Sequence, residues 1–300
     1  MTKVLICCPT YNGWYRVDWL LKSILLRCSD NDRKILKEES KIVICDDSGK
    51  DEHRNKVRDV VYKWKNDLPV ELIINEKNLG VAGSWNRLTK SYDSQHIILI
   101  NDDVIVSKDW LYNLVYFLDN NPNAGGVGQY CFVINEEDVP SLLSSPDVTV
   151  SPRHPFTRIK TNESDTVFSQ AALPERCMAA VGNFFGFRRD MYNMVGGFDN
   201  NYFAFYDESD FGTAIASHGY PSYVLQCPKN YHVWSATFGH APEINPGIVM
   251  TNSKNYYTKK WEGHCEITHK RYMEKIPFQK VKWICRGEEH EALVKGMYGF

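Results

Sequence analysis

The 300-residue sequence contains no C-x-x-C pair, although it holds nine cysteines. A zinc site built from cysteines is therefore not expected. The cysteines sit inside apolar runs (Cys7, Cys8, Cys45, Cys131) or as singles (Cys28, Cys177, Cys227, Cys265, Cys285), a pattern that fits reduced thiols in a reducing compartment. No apolar stretch approaches the length of a membrane span. The first apolar run, V-L-I-C-C, is too short for a signal-peptide core and lacks its cleavage pattern. The chain reads as cytoplasmic, with peripheral membrane contact left open by the mixed aromatic and basic residues of its C-terminal part. Neither charge is in excess, with 35 Lys and Arg against 37 Asp and Glu. A broad polyanion-binding surface is thus not implied, whereas a local groove for one diphosphate is compatible with the balance. No internal repeat or low-complexity tract is present, and an apolar content of 43% is enough for a sizeable core.

Four short apolar runs punctuate the first half: Val4–Cys8, Ile42–Cys45, Val70–Ile74 and Ile97–Ile100. Each is continuously apolar, as a parallel strand buried on both faces must be. Helical stretches are expected over Arg16–Leu26, Glu52–Lys65, Val81–Tyr92 and Lys108–Asn120. Alternation of strand and helix predicts an α/β sheet, and ligands of such sheets bind beyond the carboxyl ends of the strands. The residues found there are P-T-Y-N (Pro9–Asn12), D-D-S-G (Asp46–Gly49), N-E-K-N-L-G (Asn75–Gly80) and N-D-D (Asn101–Asp103). Four polar ends on one sheet edge would build a polar cleft. Residues Asn135 to Ala172, with four prolines, read as a long loop, and from Asn245 the composition shifts toward a C-terminal helical extension.

Adjacent carboxylates at a strand end call for a cation. In N-D-D, Asp103 is expected to hold a hard divalent ion, Mn²⁺ or Mg²⁺, shared with a diphosphate, while Asp102 faces a ribose hydroxyl. A helix-capping turn explains the same pair equally well. F-Y-D-E-S-D-F (Phe205–Phe211) places three acids in four residues at a helix start, where a carboxylate could accept a proton from a hydroxyl. Plain charge placement at that helix end is the alternative. His232, beside aromatics, reads locally as a packed residue. Lys259, Lys260 and Trp261 suit either a phosphate clamp or a solvated helix face.

Together these motifs, in their order from Lys3 to Trp261, resemble the inverting family 2 glycosyltransferases of the GT-A fold. I-C-C-P-T-Y-N resembles the family's first strand and nucleotide-contacting turn, and I-C-D-D-S-G-K-D its base-contacting acids. N-L-G-V-A-G-S-W-N resembles a further donor-side stretch, and L-I-N-D-D-V the metal-binding D-x-D with Asn101 in the first acidic slot. V-G-N-F-F-G-F-R-R-D through G-G-F-D resembles the acceptor-side element, Y-D-E-S-D-F the element carrying the base, and K-K-W-E-G a terminal K-W-G. The resemblance implies donor contacts from Pro9, Thr10, Tyr11, Asn12, Asp46, Asp47, Asn78, Gly80, Asn86, Asp102, Lys260 and Trp261. It implies metal contact from Asp103 and, by spacing, His232; acceptor contact from Gly182, Asn183 and Asp210; and Glu208 as the base with Asp207 as the competitor.

The expected architecture is a mostly parallel Rossmann-like sheet flanked by helices over residues 1–244, with a nucleotide-binding half to 104 and a catalytic half from 105. Residues 245–300 form the helical extension. The implied reaction moves one sugar from a UDP-, dTDP- or GDP-sugar to a hydroxyl of a glycan or other acceptor. A sugar nucleotidyltransferase would need a Gly-rich phosphate loop, which P-T-Y-N-G-W-Y-R lacks. A non-catalytic binding module would have lost its acids, whereas Asp103, Glu208 and Asp210 are present.

Overall fold

A computed structural model describes residues 2–150, 154–155, 173–178, 184–233 and 244–294. The four apolar runs become strands β1 (Thr2–Thr10), β2 (Ser40–Asp46), β3 (Val70–Ile74) and β4 (Ser94–Ile100). All pair in parallel, in the order β3-β2-β1-β4. Their continuous apolarity follows from two-sided burial. Val4, Ile6 and Cys8 of β1 face one core with Ile42 and Ile44, while Leu5 and Cys7 face the opposite core with Val43 and Cys45. The first core is closed by α1 (Trp14–Arg27), α2 (Asp30–Glu39), α3 (Asp51–Trp64) and α5 (Trp110–Asn120). The second is closed by α4 (Gly80–Thr89), α7 (Arg189–Val195) and α8 (Asp207–Ser217), with α6 (Val139–Leu142) lying elsewhere.

Beyond β4 the sheet turns mixed. β9 (Phe184–Arg188) runs antiparallel to β4 and to β6 (Gly126–Ile134), and β10 (Ser222–Val233) runs parallel to β6. The two-residue β5 (Val104–Ile105) lies antiparallel on β10, with β7 (His154–Pro155) on β6 and β8 (Glu175–Cys177) on β10. The expected helical extension begins as helices α9 (Pro246–Lys260) and α10 (Cys265–Met273) and then departs from expectation. The chain closes in a hairpin, β11 (Lys280–Cys285) with β12 (Glu288–Leu293), whose Val281 and Trp283 join the first core. That docking brings Cys285 to Cys227 on β10, with Cα atoms 5.6 Å apart, and the two form a disulfide. The expectation of nine reduced thiols is corrected accordingly, with seven cysteines free. No helix among the described residues is long and apolar enough to cross a membrane.

Helix α2 was not expected, yet S-D-N-D carries its signature. Ser29 and Asp32 form a reciprocal capping box. Asp32 does more than cap its own helix. Helix α5 has Asp109 at its N-cap in left-handed backbone and no side-chain cap of its own. The buried Asp32 carboxylate accepts from Asp109 N at 2.8 Å, Leu111 N at 3.0 Å and Tyr112 N at 2.9 Å, besides Ser29 N at 3.0 Å. One side chain thus satisfies the open amides of two helix ends. Asp32→Ala is expected to cost about 3 kcal/mol, since four backbone donors, two of them fully buried, lose a charged acceptor. Urea unfolding followed by circular dichroism measures this; a loss no larger than that of exposed Asp30→Ala would remove the dual-cap account.

Candidate active site

The parallel register brings the polar strand ends level. Thr10 pairs with Asp46, and Asp46 with Ile74. Thr10 Oγ1 donates to Asp102 Oδ2 at 2.5 Å, which sets the end of β4 beside that of β1. From Asp103 the chain enters β5, where Val104 pairs with His232, and Val233 N donates to Asp103 O at 2.9 Å. Residues 129 positions apart in sequence are thereby placed side chain to side chain: His232 Nε2 lies 3.0 Å from Asp103 Oδ1, both groups buried. Asp103 Oδ1 accepts no hydrogen bond. A bulge in β10 between Leu225 and Asn230 precedes this point. It is tied down where Asn230 accepts from Ser107 N at 2.9 Å and donates to Gln129 at 2.9 Å.

The oxygen of Asp103 and the nitrogen of His232 are a donor set that suits a divalent ion such as Mn²⁺. Among the described residues, no group of three His, Cys, Asp or Glu side chains could hold a metal. Two protein ligands leave most positions on an ion to water and to a diphosphate, as for weakly caged octahedral ions.

Asp102 has a different employment from the ribose contact expected of it. Arg16, fully buried on α1, holds Oδ1 through Nε at 3.2 Å and Oδ2 through Nη2 at 3.3 Å. With Thr10 on the same carboxylate, its oxygens are engaged. Burial raises the Asp102 pKa, and the guanidinium opposes the rise. Thr10 is likewise turned inward.

On β2, Asp46 Oδ1 accepts from Ser48 N at 3.0 Å, while its buried Oδ2 accepts no hydrogen bond. Asp47 faces inward: Oδ1 accepts from Asn75 Nδ2 at 2.6 Å and Leu79 N at 2.8 Å, so it holds the N-E-K-N-L-G loop. Burial raises its pKa. Asn78 caps the same loop by accepting from Gly80 N at 2.8 Å. Gly80, at φ +73°, has no room for a side chain: a Cβ would lie 2.5 Å from Phe203 O, to which Val81 N donates at 2.7 Å. After Pro9 at the end of β1, Tyr11 O accepts from Arg16 Nη2 at 3.2 Å. Asn12 sits in left-handed backbone with a buried Oδ1 that accepts no hydrogen bond. Asn12 and Asp46 therefore offer two unpartnered acceptors at this edge.

Asn86 was expected to touch the donor. Its amide instead fixes the G-G-F-D turn, donating to Phe198 O at 2.7 Å and Asn200 Oδ1 at 2.9 Å and accepting from Phe198 N at 2.9 Å and Tyr192 at 2.8 Å. Lys260, Trp261 and Asp210, expected on opposite substrates, form one clasp. Asp210 accepts from Lys260 Nζ at 2.9 Å, Trp261 Nε1 at 2.8 Å and Tyr202 at 3.1 Å. Lys260 also reaches Asp199 at 2.8 Å. Asp210 thus takes three donors, and Lys260 bridges two carboxylates. Gly182 and Asn183 lie outside the described residues, as does most of the expected loop before Ala172.

Asp207 and Glu208 open α8 after two consecutive left-handed residues, Phe205 (φ 62°) and Tyr206 (φ 63°), a strained entry of the kind kept where side chains must be aimed. Asp207 is buried, and its pKa lies well above the carboxylate range through burial and then through the charge of Glu208. Burial raises the Glu208 pKa, and hydrogen bonds from its own backbone and from Asp207 oppose the rise, so the two adjacent carboxyls titrate as one pair. Glu208 also keeps partial exposure. Arg16 and Trp85, whose indole supports Asp207, went unforeseen. Nothing local marks them, since each acts on a residue remote in sequence.

The glycosyl transferase family 2 model matches residues 5–196. No curated protein matches the chain. Among solved structures, the chain resembles the mannosyltransferase PcManGT from Pyrobaculum calidifontis in complex with GDP-Man and Mn²⁺, at TM-score 0.58 and 20% identity over 86% of this chain and 64% of that one. It also resembles GalNAc-T7 with UDP, GalNAc and Mn²⁺, at TM-score 0.58 and 18% identity over 78% of this chain and 44% of that one. S. aureus TarS residues 1–349 align at TM-score 0.52 and 13% identity, over 100% of this chain and 99% of that one. The chain thus spans less than two thirds of the first two structures, and at these identities the likeness speaks for the fold. Motif order, GT-A architecture and family match agree: the chain belongs to glycosyl transferase family 2, a family of enzymes.

Proposed function

We propose that this chain is a metal-dependent, inverting glycosyltransferase that takes one sugar from a nucleoside-diphosphate sugar to an acceptor hydroxyl. The observation that carries the reading is the Asp103–His232 pair at 3.0 Å, set on the edge where Asn12 and Asp46 present buried acceptors without partners. Those acceptors suit the N–H and O–H groups of a nucleoside. Asp103 and His232 would hold Mn²⁺ or Mg²⁺, which when bound offsets the negative charge developing on the leaving diphosphate. Similar structures carry GDP-Man with Mn²⁺, or UDP with Mn²⁺, which favours a nucleotide-sugar donor here.

Glu208 is the base of this reading. Its carboxylate takes the proton of the acceptor hydroxyl as that oxygen bonds to the anomeric carbon; the bond from that carbon to the diphosphate oxygen breaks on the opposite face, and configuration inverts. Asp207, its buried neighbour at the start of α8, is the competing candidate for that role. UDP-, dTDP- and GDP-sugars all remain donors to test, and the acceptor is a glycan or other hydroxyl compound.

A panel of these donors with Mn²⁺ or Mg²⁺ is expected to show nucleotide release from one of them, abolished by chelation. Glu208→Gln should lower kcat by about 10²–10⁴-fold and leave nucleotide affinity unchanged; undiminished turnover would remove Glu208 from the role. His232→Ala should weaken Mn²⁺ binding measured by calorimetry, and an unaltered affinity would exclude it as a ligand. Because burial raises the Glu208 pKa, the acid limb of the pH profile of kcat/KM should lie above the ordinary glutamate range, with activity lost as pH falls and Glu208 takes up a proton. A profile flat down to pH of about 4.3, the ordinary glutamate value, would contradict this.

A further inference from the structure

Arg16 stands one residue-contact behind the proposed metal position and touches no surface. Its guanidinium is fully buried, bonded to both Asp102 oxygens at 3.2 and 3.3 Å, to Tyr11 O at 3.2 Å and to the Tyr15 hydroxyl at 3.2 Å. It therefore joins the turn after β1, at Tyr11, to the turn after β4, at Asp102. The space for this fork is made by Gly13: a Cβ there would fall 2.2 Å from Asp102 Oδ2 and 2.5 Å from Arg16 Nη2. A lone carboxylate at Asp102 would double the negative charge next to Asp103 and repel a diphosphate. In low dielectric such a charge acts over several ångströms.

We propose that Arg16 is a positioning residue that serves as the internal counter-ion of Asp102, so that of the adjacent pair only Asp103 presents its charge to a nucleoside diphosphate while the two turns stay locked together. The idea rests on the transferase reading above. It makes the two ligand affinities move in opposite directions when the pair is broken, which loss of structure alone does not do.

The test measures binding to the full chain by calorimetry, with Mn²⁺ alone as one probe and metal-free UDP or GDP, whichever binds the wild type, as the other. Arg16→Gln should weaken the nucleotide about tenfold and bind Mn²⁺ more tightly. Asp102→Asn, which leaves the cation unmatched, should do the reverse, weakening Mn²⁺ and strengthening the nucleotide. The double variant Arg16→Gln with Asp102→Asn restores neutrality and should return both affinities to within about threefold of wild type. Arg16→Lys, which keeps the charge, should retain the wild-type order of affinities. If Arg16→Gln does not fold, Asp102→Asn and the double variant carry the same comparison. Single variants that shift both ligands in the same direction, or a double variant that recovers neither, overturn the counter-ion role and leave the transferase reading intact. A folded wild type that binds neither Mn²⁺ nor any nucleotide overturns both.

Discussion

Val104 and Ile105 make only two residues of strand, and their antiparallel pairing with Tyr231 and His232 governs the geometry of the site. β4 delivers Asp103 to the sheet edge from the parallel half, and β10 delivers His232 from the mixed half. Backbone hydrogen bonds between β5 and β10 fix the register, and a slip of one residue would turn His232 to the other face. The bulge and the Asn230–Gln129–Ser107 network upstream defend that register. The site is therefore a product of sheet pairing, with loops contributing less than their polarity suggests.

Around this pairing, the molecule is held by buried and half-buried polar side chains that each bond several remote groups. Asp32 ties α2 to α5, and Asn86 ties α4 to the G-G-F-D turn. Arg189 donates to the carbonyls of Thr89, Tyr92 and Ser94, and Arg188 to those of Asn121, Pro122 and Ala124. Motif residues that look chemically active, such as Asn86, also make these contacts. A buried polar group left unmatched is costly, so fully matched networks specify one packing.

The parallel half was legible because two-sided burial writes itself as unbroken apolar runs, and Val4–Cys8 or Ile97–Ile100 cannot easily be anything else. The carboxyl-end rule then pointed to Asp103 and Asp46. The pairing of His232 with Asp103 came only through motif spacing, since a histidine among aromatics carries no local sign of its partner. The partners of Asp102 were not legible: adjacent acids look equivalent in sequence, whereas the turn after β4 brings one beside His232 and the other to Arg16. The contacts of Lys260 were hidden similarly, since a basic residue near a helix end does not announce that two carboxylates await it. The terminal hairpin was hidden because β11 and β12 are half exposed, and their charge-rich alternation resembles a solvated helix.

The clasp of Asp210 has a bearing on what counts as a unit of this protein. The family match ends at residue 196, but the fold does not. Tyr257 of α9 is fully buried and bonds Thr213 of α8 at 2.6 Å, and Ser253 bonds Ala204 O at 2.8 Å. Without the segment that carries Lys260, the carboxylates of Asp199 and Asp210 would face each other with no cation between them. Inherited sequence and cooperative folding thus have different borders here: a piece cut at the edge of family likeness would strand two acids beside the helix that presents Glu208.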